Sequence, residues 1–197
     1  MNSGKFEEKL LVQKILAGNQ RAFGELIRNY QNLVGHLVFR MISNEYDRED
    51  ICQDIFLKVY QNLTNFKFES KLSTWIARIT YNTCLNFLEK KKVSLFDDMT
   101  PEEMSLDDLF GSAPLPDNLT VQQDISQRLQ KEIRKLPLHY RTILTLYHLD
   151  EMNYREIGEI TEMPEGTVKN YLFRARKILK ERLNSQYQPE ELWQTSM

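Results

Sequence analysis

Residues 153–183 read NYREIGEITEMPEGTVKNYLFRARKILKERL, and this stretch decides the fold. Its pattern is a short helix, a tight turn and a second helix that carries Lys169, Arg174, Arg176, Lys177, Lys180 and Arg182. Ile157 and Ile160 give the first helix an apolar side, and Val168, Leu172, Ile178 and Leu179 do the same for the second. Gly166-Thr167 marks the beginning of the second helix, with Thr167 as a candidate cap and a start a few residues earlier as the alternative. Such a helix-turn-helix has the dimensions to place its second helix in a major groove. An amphipathic hairpin with a solvated basic face has the same pattern, so the rest of the chain must decide.

The chain has 197 residues, room for one ordinary domain or two small helical ones. Only seven glycines and six prolines interrupt long runs of good helix formers, and alternating strand-like segments are scarce, so a mostly helical protein is expected. Cys52 and Cys84 lie apart in helical, largely apolar patterns and read as buried thiols rather than a disulfide or a zinc site. The N-terminal segment has no signal-peptide apolar core, and no apolar run is long enough to cross a bilayer. A soluble, cytoplasmic protein without membrane insertion is the expectation.

The net charge of -2 conceals an uneven distribution. Residues 1–93 hold 14 basic and 10 acidic side chains, residues 94–127 hold eight acidic and no basic ones, and residues 128–197 hold 12 basic and 10 acidic. Two mildly basic bodies are thus joined by an acidic linker. In the first body, helical patterns run over Glu7–Ala17, from Gln20 to about Ser43, from Arg48 to Leu63, and over Leu72–Lys91, with an interruption at Asn65–Lys71. Ile51, Ile55 and Val59 mark a core face, while Asp50 and Asp54 follow the polar direction beside it. The linker is punctuated by Pro101, Gly111, Pro114 and Pro116. Its scattered Phe96, Leu106, Leu109 and Phe110 suit a strap that orders on a partner. Helix returns from Val121 to Leu136 and over Leu138–Leu149, and residues 185–197 form a polar tail in which Trp193 is a possible anchor. Asp97-Asp98 and Asp107-Asp108 lack a second ligand cluster, and His36, His139 and His148 are dispersed. No catalytic residues, metal site or cofactor are expected.

Three pieces of the chain, taken together, resemble the extracytoplasmic-function sigma factors of bacterial RNA polymerase, in the sigma-70 family. They are DREDICQDIFLKVYQNL at 47–63, FKFESKLSTWIARITYNTCLNFLEKK at 66–91, and LPLHYRTILTLYHLDEMNYREIGEITEMPEGTVKNYLFRARKIL at 136–179. The resemblance spans roughly Ala22–Lys92 and Leu129–Leu183. It implies an all-α protein of two small helical domains: region 2 within residues 1–93, the acidic linker over 94–127, region 4 with its helix-turn-helix over 128–184, and a tail over 185–197. The implied function is non-catalytic: binding core RNA polymerase and directing promoter-specific initiation. A stand-alone helix-turn-helix regulator is the alternative, and it leaves the Asp47–Trp75 constellation unexplained.

The resemblance also implies roles for residues. Asp50, Gln53 and Asp54 would dock on the polymerase largest subunit. Lys67, Ser70, Lys71, Arg78 and Asn82 would contact the opened -10 element, whose displaced base needs stacking, hydrogen bonds and phosphate contacts. Thr167, Lys169, Asn170, Tyr171, Arg174 and Arg176 would contact duplex at -35. An anti-sigma factor is a possible further partner. The chain departs from the family pattern at several places. Phe68 and Glu162 stand where Gly is common, Gly158 where Ala is common, and Asn170-Tyr171 replaces a frequent Ser-Arg pair. A left-handed Glu162 would cost about 1 kcal/mol, and a looser turn is expected there.

Overall fold

The computed structural model describes the backbone of residues 3–98 and 121–186 and the side chains of residues 6–91 and 128–185. Among the described residues every regular element is helical. The first body contains α1 (Ser3–Leu16), α2 (Gln20–Met41), α3 (Glu45–Asn62), a 3-10 turn (Leu63–Asn65) and α4 (Leu72–Asp98). The second contains α5 (Val121–Arg134), α6 (Leu138–His148), α7 (Tyr154–Thr161) and α8 (Glu165–Gln186). No described helix is long and apolar enough to cross a membrane. The sequence-based proposals for Phe96, Leu106, Leu109, Phe110 and Trp193 fall outside the described side chains.

Capping sets several boundaries. The Asn19 side chain accepts from the Ala22 amide at 3.2 Å and starts α2. Asn44 accepts from Tyr46 N–H at 3.0 Å and starts α3 at Glu45, three residues before the Arg48 expected from apolar periodicity. Arg48 then donates to the Ile42 and Ser43 carbonyls at 2.9 and 3.0 Å and closes the α2–α3 corner. In the second body Asn153 and Glu156 form a reciprocal capping box that starts α7.

Leu26, Val34, Leu37 and Met41 of α2 lie buried with Ile55 and Val59 of α3 and Leu72, Ile76 and Cys84 of α4. Ile143, Leu146, Ile157, Ile160, Val168 and Leu172 form the buried centre of the second body. Each such side chain contributes about 1.5–3 kcal/mol relative to exposure, so the cores, rather than intrinsic propensity, hold these short helices. The bodies also pack on each other, α2 against α6 and α4 against α7. Arg40 of α2 donates to Gln130 of α5, and the Arg48 and Arg134 guanidinium carbons lie 4.3 and 4.6 Å from the Phe39 ring centre. Arg40 and Arg141 are both buried, and desolvation beside other arginines pushes each down to about 10.

Candidate polymerase and nucleic-acid interfaces

Three surfaces carry the residues singled out in the sequence. On α3, Asp50, Gln53 and Asp54 are all exposed, and Asp54 pairs with Lys58 at 2.7 Å. The buried Ile51, Ile55 and Val59 hold that helix down, so its acidic row faces outward by the helical period. Leu57, 54% exposed, extends the row one turn further. Sequence reading missed it, although an apolar residue off the Ile51–Ile55–Val59 stripe was the available signal.

The second surface lies where α3 ends. After the 3-10 turn, Phe68 adopts a left-handed φ of 59°, an uncommon position for a residue with a side chain. Phe66, Phe68 and Trp75 cluster, with Phe66 ring centres 4.6 Å from Phe68 and 5.2 Å from Trp75. Against this cluster opens a pocket of about 400 Å³, lined by Asn65, Phe66, Lys67, Glu69, Ser70, Thr74, Trp75 and Arg78, and on the opposite wall by Arg155 and Glu159 of α7. Thr74 was not foreseen: it is 3% exposed, and its hydroxyl has no hydrogen-bond partner among the described residues. Lys67, Ser70 and Arg78 line this pocket, whereas Lys71 and Asn82 do not. Lys71 is instead held by Glu156 at 2.7 Å, and Arg78 donates to Glu162 at 2.8 Å. Asn82 follows Arg78 by one turn of α4 and is partly exposed.

The third surface is α8. It begins at Glu165, where the Pro164 carbonyl accepts from Thr167 and Val168 N–H at 2.8 and 3.1 Å, so Thr167 is already inside the helix and is not its cap. The turn is tight, contrary to expectation. Glu162 is left-handed at φ 58°, ψ 32°, and the Met163 amide donates to the Gly158 carbonyl at 3.2 Å. A Cβ at Gly158 would lie 2.7 Å from the Met163 carbonyl oxygen, and this explains glycine where alanine is common.

The six proposed -35 residues split into two stripes. Thr167, Asn170, Tyr171 and Arg174 follow i, i+3, i+4, i+7 spacing, and Lys169 and Arg176 lie on another side of the helix. Asn170 and Arg174 are exposed, but the Tyr171 ring is half-buried and packs edge-on to Tyr140 at 5.2 Å. Lys169 pairs with Glu165 at 3.0 Å and lies 5.3 Å from the Tyr154 ring centre. Arg176 donates to His148 Nε2 at 3.0 Å and lies 5.0 Å from the Tyr147 ring centre. Burial, and then that arginine, lower the His148 pKa.

The three histidines, dispersed along the sequence, all have specific polar partners. His36 Nδ1 donates to Asp150 across the bodies at 2.9 Å, and His139 meets Tyr81 at 3.4 Å. Burial raises the Asp150 pKa, against the opposing pull of His36. The described residues contain no cluster of three or more groups able to hold a metal.

This pairing of a basic, aromatic-lined helical body with a helix-turn-helix body defines a sigma-70-type transcription protein: residues 26–93 match Sigma-70 region 2 and residues 126–179 match Sigma-70, region 4. The ECF RNA polymerase sigma factor SigW of Bacillus subtilis is 33% identical over 179 residues, 89% of this chain and 96% of its own length. The ECF RNA polymerase sigma-E factor of Escherichia coli K12 is 32% identical over 181 residues, 90% of this chain and 94% of its own. The chain therefore belongs to the extracytoplasmic-function family of RNA polymerase sigma factors. It is a non-catalytic specificity subunit that binds RNA polymerase and directs promoter-specific initiation.

Solved structures share the fold. CnrH in complex with the cytosolic domain of CnrY has a TM-score of 0.65 at 20% identity, covering 90% of this chain and 97% of that one. RpoE in complex with the anti-sigma factor NepR from Bartonella quintana has a TM-score of 0.63 at 20% identity, covering 84% and 98%.

Proposed function

We propose that this sigma factor divides its work among the three surfaces. The body within residues 1–93 docks on polymerase through Asp50, Gln53 and Asp54, joined by Leu57, and captures the opened -10 strand with Lys67, Ser70, Lys71, Arg78 and Asn82. The body within residues 128–184 places α8 on the -35 duplex, with Asn170 and Arg174 outermost. The residues at 94–127 join the two. The observation that carries this reading is the pocket beside Trp75. Its volume falls in the range of small-ligand sites, about 300–1,000 Å³, with an aromatic side for stacking, cations for phosphate and a spare buried hydroxyl. The test is initiation by reconstituted polymerase on promoters recovered by unbiased selection, with and without this chain. Asn82→Ala should impair opening while leaving binding to polymerase intact; unchanged opening by both Asn82→Ala and Lys67→Ala would remove the -10 assignment.

An anti-sigma partner fits a second feature. Leu129, Ile133, Leu144, Leu149, Leu179 and Leu183 line a groove of about 700 Å³ that Arg40 of the first body also borders. The groove suits an amphipathic helix with acidic flanks, since Arg176 and Lys180 rim it. The structure of RpoE from Bartonella quintana with the anti-sigma factor NepR supports such a partner here. An inhibitor that still acts on Leu149→Lys and Leu129→Lys variants does not use this groove.

A further inference from the structure

On α8 the exposed guanidinium of Arg176 is held in place without being neutralised. His148, the last residue of α6, is also exposed, and its Nε2 accepts from Arg176 Nε and Nη2 at 3.2 and 3.0 Å. The guanidinium carbon lies 5.0 Å from the Tyr147 ring centre. Tyr147 meets the His148 ring edge-on at 5.1 Å and stacks on Tyr154, the first residue of α7, at 5.3 Å and 16°. Lys169, 5.3 Å from the Tyr154 ring centre, completes the row.

Both groups that fix Arg176 are neutral. An imidazole that accepts at Nε2 carries its proton on Nδ1. Burial, and then Arg176 itself, lower the His148 pKa and so favour that neutral form. Among the described ion pairs none involves Arg176, whereas Lys169 is paired with Glu165 and Lys177 with Glu181. The Nη1 side of Arg176 takes part in no hydrogen bond among the described residues. Folding gains little from an exposed contact of this kind. An anion, however, gains a donor whose direction is already set and whose charge is uncompensated. Arg176 and Lys169 lie two turns apart on one flank of α8, about 10 Å. The flank of a helix seated in a major groove meets the phosphates that border the groove.

We propose that His148 is a positioning residue for promoter binding: with Tyr147 it aims Arg176 at a backbone phosphate of the -35 duplex, in one row with Lys169. The inference rests on the -35 reading above, in which Asn170 and Arg174 are outermost. Arg176 also borders the groove offered to a protein helix, but Tyr154 and Lys169 do not line that groove. The held row runs from Arg176 toward the leading end of α8, which favours DNA over a partner's carboxylate.

Anisotropy of a labelled -35 duplex from a selected promoter, titrated with the full chain at several salt concentrations, reads affinity and salt slope together. His148→Ala should weaken binding about two- to tenfold, the range set by the cost of immobilising one long side chain. His148→Gln keeps a neutral acceptor at similar reach and should bind as the parent does. In an Arg176→Ala background, His148→Ala should have no further effect. Arg176→Ala should itself lower the slope of log affinity against log salt by about 1. NMR titration of the His148 imidazole gives a second readout, since a phosphate brought beside Arg176 should raise its pKa. The other charged groups bordering that recess, Arg40 of α2 and Lys180 of α8, are cationic, and Asp150 is bound to His36, so a rise on binding reports the duplex.

Unchanged affinity of His148→Ala, equal loss with and without Arg176, or no rescue by His148→Gln overturns the positioning role. An unchanged salt slope for Arg176→Ala, or an unmoved imidazole pKa, overturns the phosphate contact and leaves Arg176 to a protein partner in the groove. Where Arg174→Ala still lowers the slope, the -35 reading stands; where neither variant lowers it, that reading falls as well.

Discussion

Gly158→Ala puts two effects of opposite sign in competition. Alanine is the better helix former, by about 1 kcal/mol in a helix interior, and on that ground alone the substitution should stabilise α7. The added Cβ, however, would lie 2.7 Å from the Met163 carbonyl oxygen. That atom is backbone, fixed between left-handed Glu162 and Pro164, whose own carbonyl caps the first turn of α8. Relief therefore requires shifting the start of α8, and overpacking of this kind costs about 1–3 kcal/mol. The net expectation is a loss centred on about 1 kcal/mol. Urea denaturation followed by circular dichroism measures it as a lower midpoint, and binding to a -35 duplex should weaken in parallel. Adding Glu162→Gly lets the turn readjust, so the double variant should recover more than the sum of the single effects predicts. A Gly158→Ala variant stabilised by the propensity difference, or strict additivity with Glu162→Gly, would refute the steric reasoning.

Asp50→Ala with Gln53→Ala should reduce association with core polymerase in a pull-down titration while leaving the urea midpoint within about 0.5 kcal/mol of the parent, because both side chains are exposed; Leu57→Ala should deepen the loss. Arg174→Ala should lower the slope of log affinity against log salt for the -35 duplex by about 1, and an unchanged slope would show that this guanidinium meets no phosphate. Thr74→Val replaces a buried hydroxyl that lacks a partner, so stability should hold or rise while promoter opening falls; full opening by the variant would remove the hydroxyl from the pocket's chemistry. Burial pushes Cys84 up to about 12 from 9.0, so the folded state keeps a proton that the unfolded chain releases. That contribution is complete below pH 9 and is lost as pH rises toward 12, at up to about 1.4 kcal/mol per pH unit. Cys84→Ala should flatten this alkaline decline in paired urea melts, and parallel declines would place the titration elsewhere.

Much of the fold was legible because helical period is local. Ile51, Ile55 and Val59 announce α3, and Val168 and Leu172 announce the buried side of α8. The boundaries were less legible where a cap outranked the period. Asn44 begins α3 before its first buried residue, and α4 runs on to Asp98 past the Lys91 end expected from the basic run. Exposure of Asp50, Gln53 and Asp54 followed directly from the core face beside them. Tyr171 illustrates a different limit. Its spacing places it with Asn170 and Arg174, but the ring packs on Tyr140 of α6, a contact that no period within α8 reveals. Contacts between the bodies were invisible for the same reason: His36 and Asp150 are 114 residues apart, and each looks ordinary within its own helix.

The departures at 158 and 162 are one structural solution. Left-handed Glu162 brings the Met163 carbonyl back over α7, and only a residue without Cβ at 158 leaves room for it. Stability of the turn does not select glutamate there. The left-handed conformation costs about 1 kcal/mol, and an exposed pair with Arg78 returns at most about the same. The turn is held instead by the apolar contact of α7 with α8, where Ile157, Ile160, Val168 and Leu172 are essentially inaccessible. With folding energetics close to neutral at this position, the side chain is free to serve the surface opposite. The only charge that Glu162 is seen to engage among the described ion pairs is Arg78, beside the proposed strand pocket. Its contact is therefore with the first body, and Glu162→Gly should free Arg78 while leaving the melting of the chain nearly unchanged.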